Sequence, residues 1–234
     1  YVALLAVMAV GAVVGFINGF CMAKFKLHPF IVTLSTQLIV YGLVLMFMQL
    51  GTNSGQTLSG MAPEYREFVT GTLFKVGKTA VPNYVLYSAI IAVVVWVIWN
   101  KTAFGKNMYA VGSNEEAANV SGVNVEKTII MVFMMAGMLY ALTGFFDAAR
   151  IASVNATTGL NYESDAIAAC VIGGISFVGG IGKVSGAIIG VLLLQVIFVG
   201  LNFLSVDPNL LYIVKGLIIL VACTIDMRKY LVRK

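Results

Sequence analysis

The segment GKNMYAVGSNEEAANVSGVNV (Gly105–Val125) is a polar stretch in a chain that is otherwise mostly apolar. It contains the pattern of a short, well-capped helix. Ser113 and Glu116 have the spacing of a capping box, in which the hydroxyl accepts from a first-turn N–H and the glutamate reaches back. Gly122 is the residue type that most often follows the end of a helix. The pattern therefore predicts a helix of about two turns over Asn114–Ser121.

A helix this short is marginal in water unless another surface packs on it. Helical spacing brings three small residues to one face, and two glutamates lie at the positive end of the helix dipole. We therefore predict that this helix docks a soluble partner; an ordered loop is the alternative. The candidate docking residues are Ser113, Asn114, Glu115, Glu116, Ala117, Ala118, Ser121 and Gly122.

The composition is that of a membrane protein. Of the 234 residues, 60% are hydrophobic and 11% are charged, whereas soluble domains are about 25% charged. Backbone polar groups in lipid must be satisfied internally, which leaves helices or a closed barrel. Long apolar runs, rather than two-residue alternation, favour helices. We predict an all-α polytopic membrane protein with one transmembrane domain over residues 1–234, and the charge pattern gives no indication of nucleic-acid binding.

About seven apolar runs are long enough to be transmembrane helices. They are Val2–Met22, Phe30–Leu50, Asn83–Trp99, Thr128–Phe146, Asp165–Val178, Val184–Leu204 and Leu210–Thr224. The fifth run is short and glycine-rich, so we expect it to be broken or tilted. Because Tyr1 lies within an apolar run that has no basic flank, we expect a fragment whose N-terminal spans are missing.

The distribution of Lys and Arg predicts the orientation. With the C-terminal tail in the cytoplasm, ten of these residues lie inside and four outside, apart from Lys215 within the last span. The cytoplasmic loop 101–127 then carries the docking helix, and loop 51–82 lies outside. In that outer loop, a short surface helix is predicted near Ala62–Thr70, with Pro63 in its first turn.

Two segments of the chain resemble each other. Each has three glycines four residues apart, and each is followed by a turn with a proline and a further span. Such stripes let helix backbones approach closely in lipid, and the opposite directions of the two segments predict an inverted repeat. Chance enrichment of glycine is the alternative. The glycines are Gly11, Gly15, Gly19, Gly182, Gly186 and Gly190.

A second polar set begins at the start of the second span. His28 and Pro29 precede Thr33, Thr36 and Gln37, which share one helix face by their spacing. Polar side chains at that depth should face protein or a water-filled path. We consider these five residues a candidate translocation path or gate; for His28, a role limited to the helix start is the alternative.

Charged residues flank the loop between the fourth and fifth spans. Asp147, Arg150, Glu163 and Asp165 are predicted either to form salt bridges within the loop or to contact an outside partner. No nucleophile–base set accompanies them, and a single histidine excludes a His-based metal cluster. We therefore expect no catalytic residue and no metal in this chain. Asp147, Asp165 and Asp226 are expected at span ends, which argues against the acid relay of an ion-coupled transporter.

Three stretches together resemble one family. Asn100–Val125, Leu27–Thr36 and Asp147–Gly190 look like the permease subunits of bacterial ABC importers for monosaccharides, most closely those for galactose and methyl galactoside and next those for ribose and xylose. The early Asp-Leu-Ser-bearing span that is typical of the family is absent here.

The resemblance implies a non-catalytic permease in the bacterial inner membrane, with its C-terminus in the cytoplasm. Its implied partners are a second permease copy, a periplasmic sugar-binding protein and a cytoplasmic ATPase, which carries ATP and Mg. The Ser113–Gly122 helix would be the coupling helix. An ion-coupled secondary transporter remains the alternative.

Overall fold

The computed structural model describes residues 2–50, 57–76 and 79–231. Within these ranges the chain is mainly helical, with four short strands. The helices are α1 (Val2–Phe25), α2 (Pro29–Gln49), α3 (Pro63–Thr70), α4 (Asn83–Lys101), α5 (Ala103–Ser113), α6 (Glu115–Val120), α7 (Val125–Ile151), α8 (Tyr162–Ile172), α9 (Val184–Phe203) and α10 (Pro208–Leu231). The strands are β1 (Leu58–Ser59), β2 (Thr72–Val76), β3 (Thr79–Pro82) and β4 (Ser153–Val154).

Five of the described helices, α1, α2, α4, α7 and α9, are long and apolar enough to cross a membrane. In α10 the apolar part is shorter, Asn209–Val221. The prediction of an all-α polytopic membrane protein is therefore confirmed. The fifth predicted span is interrupted: α8 ends at Ile172 rather than Val178. With 11 residues, it is only about 16 Å long.

The chain forms two compact units. The first contains Tyr1–Val94 and Gly122–Gly159, and the second contains Val95–Ser121 and Leu160–Lys234. The boundary between them passes through α4.

In the first unit, α1 lies along α7. A Cβ atom on Gly19 would come within 2.8 Å of the Ile130 Cα atom. Side chains at Gly11 and Gly15 would collide with the backbone at Gly137 and Phe133. The two backbones are therefore in direct contact, which is how helices associate in lipid without a hydrophobic driving force.

The 51–82 loop contains the predicted surface helix. It is α3, it begins with Pro63, and the prediction is confirmed. The Tyr65 hydroxyl donates a hydrogen bond to the Phe145 carbonyl on α7, and the two rings meet edge to face. Burial raises the pKa of Tyr65, so the hydroxyl remains a donor. The antiparallel β2–β3 pair in this loop was not predicted.

In the second unit, α8 packs antiparallel to α9. Gly173 lies against Gly186, and Ala169 lies against Gly190, so tightly that a side chain on either α9 glycine would meet backbone. Asp165 lies one turn before Ala169, in the first turn of α8. This position agrees with the expectation that Asp165 lies at the end of its span.

Candidate functional site

The polar segment begins with a sharp turn after α4. Thr102 caps α5, since its hydroxyl accepts a hydrogen bond from the Gly105 N–H at 3.2 Å and donates one to the Ile98 carbonyl at 2.6 Å. Gly105 is buried against the Trp99 carbonyl, where a Cβ atom would not fit. Sequence reasoning missed α5, although Thr102 ahead of Ala103 was an available N-cap signal.

The predicted docking helix exists as α6, but another residue caps it. Asn114, not Ser113, is the N-cap, and its Oδ1 atom accepts a hydrogen bond from the Ala117 N–H at 2.9 Å. The predicted capping box is wrong because Ser113 is the last residue of α5. The helix ends at Val120 with Ser121 as its C-cap, and Gly122 follows with φ +85°, in the left-handed conformation that favours glycine.

The face of α6 that is available to a partner differs from the predicted one. Ala118 is only 4% exposed, so it packs within this chain. Ala117 and Ser121 are exposed, and the serine hydroxyl donates to the Ala117 carbonyl at 2.8 Å. The three small residues therefore do not form one free surface.

We call the exposed polar side chains of α6, together with Val120, the α6 surface: Glu115, Glu116, Asn119 and Val120. Val120 is 90% exposed, although it is apolar. Sequence reasoning did not single out Val120. The sequence feature that could have identified Val120 is an apolar residue, four positions after Glu116, in a helix whose other residues are polar or small. The α6 surface thus combines one apolar side chain with two negative charges.

α5 is fixed to the turn between α8 and α9, within the second unit. The Tyr109 hydroxyl donates a hydrogen bond to the Gly182 carbonyl. Three residues further along α5, Gly112 lies so close to the turn that a Cβ atom there would be 3.0 Å from the Gly180 nitrogen. The turn has left-handed backbone at Gly179 and Gly180, with φ of +102° and +69°.

The candidate path residues lie at the start of α2. The backbone carbonyl of His28 accepts from the Ile31 N–H at 3.0 Å, while its exposed side chain makes no capping bond. Pro29 occupies the first turn, and the Thr33 hydroxyl donates to its carbonyl at 3.0 Å. These contacts are those of a helix start. A path role for this pair stays a prediction.

Thr36 makes a contact between helices in the first unit. Its hydroxyl donates to Oδ1 of Asn18 on α1 at 2.5 Å. Gln37 is exposed. Thr36 and Asn18 therefore place a polar contact between two apolar helices, where polar groups are expected to serve packing or a path. Sequence reasoning missed Asn18, which is the polar residue next to Gly19 in α1.

Three of the four charged candidates take part in ion pairs, one pair in each unit. Arg150 donates from Nε and from a terminal nitrogen to Oδ1 of Asp147, at 2.9 and 2.7 Å, within the first unit. In the second unit, Lys215 Nζ lies 2.6 Å from Asp165 Oδ1. Glu163 is exposed. Asp147 and Arg150 therefore pair with each other, whereas Asp165 pairs with Lys215, a residue outside the predicted set.

Lys215 is held by its surroundings on α10. Its Nζ atom lies 4.8 Å from the centre of the Phe198 ring and 5.7 Å from that of Tyr212, in addition to the Asp165 carboxylate. The side chains of Lys215 and Asp165 are 19% and 34% exposed. An ion pair with cation–π contacts lowers the cost of placing a charge between apolar helices.

Among the described residues, no group of three or more His, Cys, Asp or Glu could hold a metal ion. Cys21, Cys170 and Cys223 are free thiols, and each is partly buried. Their environment is that of small packing residues in apolar helices.

Long apolar helices in close backbone contact, with a capped polar segment between them, define a multi-pass membrane protein of the transporter type. Residues 1–223 match the family described as the permease component of branched-chain amino acid transport systems. The chain belongs to this family. No solved structure matches it.

Curated relatives cover the whole chain. The galactose/methyl galactoside import permease protein MglC of Haemophilus influenzae is 45% identical over 233 residues, which are 100% of this chain and 68% of that protein. The protein of the same name from Escherichia coli is 44% identical, over 99% of this chain and 68% of its own length. The ribose import permease protein RbsC of Bacillus subtilis is 37% identical, over 91% of this chain and 63% of its own length.

Proposed function

We propose that this chain is the permease subunit of an ABC importer that carries galactose or methyl galactoside across the bacterial inner membrane. The observation that supports this most directly is 45% identity along the full chain to a permease with that name. The ribose permease is less similar, at 37%. A ribose or xylose substrate is therefore the second choice within the same class.

The chain hydrolyses nothing itself in this proposal. A separate cytoplasmic ATPase binds ATP and Mg, a periplasmic protein delivers the sugar, and a second copy of the permease completes the path. The excess of Lys and Arg on one side supports a cytoplasmic C-terminus. That orientation also places α5 and α6 on the side where ATP is available.

Docking of the ATPase takes place through the α6 surface. Val120 provides an apolar contact, and Glu115 and Glu116 attract a basic rim on the partner. When ATP closes the two halves of the ATPase, α6 moves with them. The permease then shifts between two states that open to opposite sides, and the sugar acts through its different affinity for each state.

An ion-coupled secondary transporter is the second candidate, and one observation favours it. Asp165 is an acidic residue in the first turn of α8, and such transporters use an acid within the membrane to bind the coupling ion. Here, however, the carboxylate already faces Lys215 at 2.6 Å. A neutral sugar also needs no charge-compensating site, so the ATP-driven mechanism agrees better with this pair.

Reconstitution distinguishes the two candidates. The permease is placed in liposomes with a cognate ATPase and a sugar-binding protein, and uptake of radiolabelled galactose is measured with ATP inside or outside. Uptake that requires ATP on the ATPase side and persists with an ionophore supports the importer. Uptake without the ATPase, abolished by the ionophore, would show that the chain is an ion-coupled transporter.

A further inference from the structure

α5 contacts the 179–182 turn, which joins α8 to α9. Its Tyr109 hydroxyl donates to the Gly182 carbonyl, one residue before the N-cap of α9. The phenol ring also meets the Trp99 ring edge to face, with centroids 6.3 Å apart. Tyr109 therefore links the end of α4 to the beginning of α9.

A second contact holds the end of α5 against the same turn. A Cβ atom on Gly179 would come within 2.7 Å of the Gly112 carbonyl oxygen, and one on Gly180 would strike the Ser113 side chain. The last turn of α5 is thus seated directly on the backbone of the 179–182 turn. Because backbone atoms and the short Ser113 side chain form this contact, rather than a long flexible side chain, it transmits displacement with little loss.

The turn itself is rigidly attached to α8 and α9. The Ser176 N–H donates to the Ile181 carbonyl at 2.9 Å, which closes the turn. Beyond it, Gly173 and Gly186 bring the two helices into backbone contact. A shift of α5 must therefore move the turn, and the turn must move the cytoplasmic end of the α8–α9 pair.

We propose that Tyr109 is a positioning residue that couples α6 to the α8–α9 pair through the 179–182 turn. This inference rests on the proposed function, since it assigns the route by which the docked ATPase moves the permease. The role assigned to Tyr109 requires contact with neither the ATPase nor the sugar. Its hydroxyl decides whether movement of the polar segment reaches α9.

The test uses the reconstituted permease with its ATPase and binding protein. Tyr109→Phe keeps the ring and its contact with Trp99 and removes only the hydroxyl. We expect normal membrane yield, normal ATPase binding and normal basal ATP hydrolysis, but roughly three- to tenfold less sugar transported per ATP, in line with the loss of one hydrogen bond. Gly112→Ala, which separates α5 from Gly180, should lower the same ratio. Tyr87→Phe is the matched control, because it also removes a hydroxyl-to-carbonyl bond, to Phe68 at 3.1 Å, in the first unit.

Each outcome decides the question. An unchanged sugar-to-ATP ratio in both Tyr109→Phe and Gly112→Ala overturns the proposal. Loss of ATPase binding in Tyr109→Phe also overturns it, because the residue would then only shape the docking surface. If Tyr109→Phe expresses poorly, Gly112→Ala alone decides by the same ratio. Absence of sugar-dependent ATP hydrolysis in the wild-type complex refutes the proposed function itself, independently of Tyr109.

Discussion

Replacing Val120 by Ala tests the docking role of α6 with the smallest change that the structure allows. Val120 is 90% exposed in the free chain, so the substitution leaves the fold of α6 intact, and Ala is a better helix former. The substitution removes two methyl groups. If Val120 is buried against the ATPase, each group contributes about 0.8 kcal/mol. The expected loss is therefore about 1.6 kcal/mol per site, or roughly a 15-fold weaker Kd.

The assay is a titration of ATPase against permease in lipid nanodiscs. Val97→Ala is the matched control, because it removes the same atoms from an exposed position on the membrane helix α4. The control should bind like the wild type. A Kd for Val120→Ala within about twofold of the wild type would show that α6 does not bury this side chain, and would refute docking through the α6 surface.

A substitution at Ala118, which is buried and lies two residues before Val120, should affect folding rather than ATPase binding. Ala118 is 4% exposed, so Ala118→Arg must displace packed atoms instead of extending into the partner. Overpacking of this kind costs about 1–3 kcal/mol, and a buried unpaired charge adds to that cost. We expect a lower yield of folded permease by fluorescence size-exclusion chromatography. A normal yield with lost ATPase binding would place Ala118 at the interface.

Three further predictions concern packing, the ion pair and orientation. Gly190→Ala should lower the unfolding temperature, because the added methyl group forces α8 away from α9. Gly200→Ala on the same helix is the control and should leave the unfolding temperature unchanged, because its methyl group meets nothing within 4 Å. Equal unfolding temperatures for the two variants would show that α9 does not pack against α8 at Gly190. Lys215→Met should destabilise the permease by less than the ~3–5 kcal/mol of a fully buried pair, since both partners are partly exposed. Adding Asp165→Asn should restore most of that loss in a thermal melt, and no restoration would contradict the pairing. Asn119→Cys, in a background without native cysteines, should react with an impermeant thiol reagent only from the cytoplasmic side. Reaction from the outside would show that the predicted orientation is wrong and that the ATPase does not dock on α6.

The sequence by itself determined the class of structure, because the decisive interactions are local. An apolar helix in lipid satisfies its own backbone, so composition and run length predict it without knowledge of its neighbours. The same holds for Pro63 at the start of α3 and for Gly122 at φ +85° after α6. Each of these features depends on residues within about one helical turn.

Only the tertiary structure decided how the candidate site is arranged. Asn114 replaces Ser113 as the cap because α5 already contains the serine, and Ala118 is buried because the chain packs over it. Lys215 meets Asp165 across 50 residues, and Tyr109 meets Gly182 across 73. No periodicity or motif encodes such pairs. They form because helix packing brings distant segments to hydrogen-bonding distance, and that packing depends on every glycine contact along α8 and α9 at once.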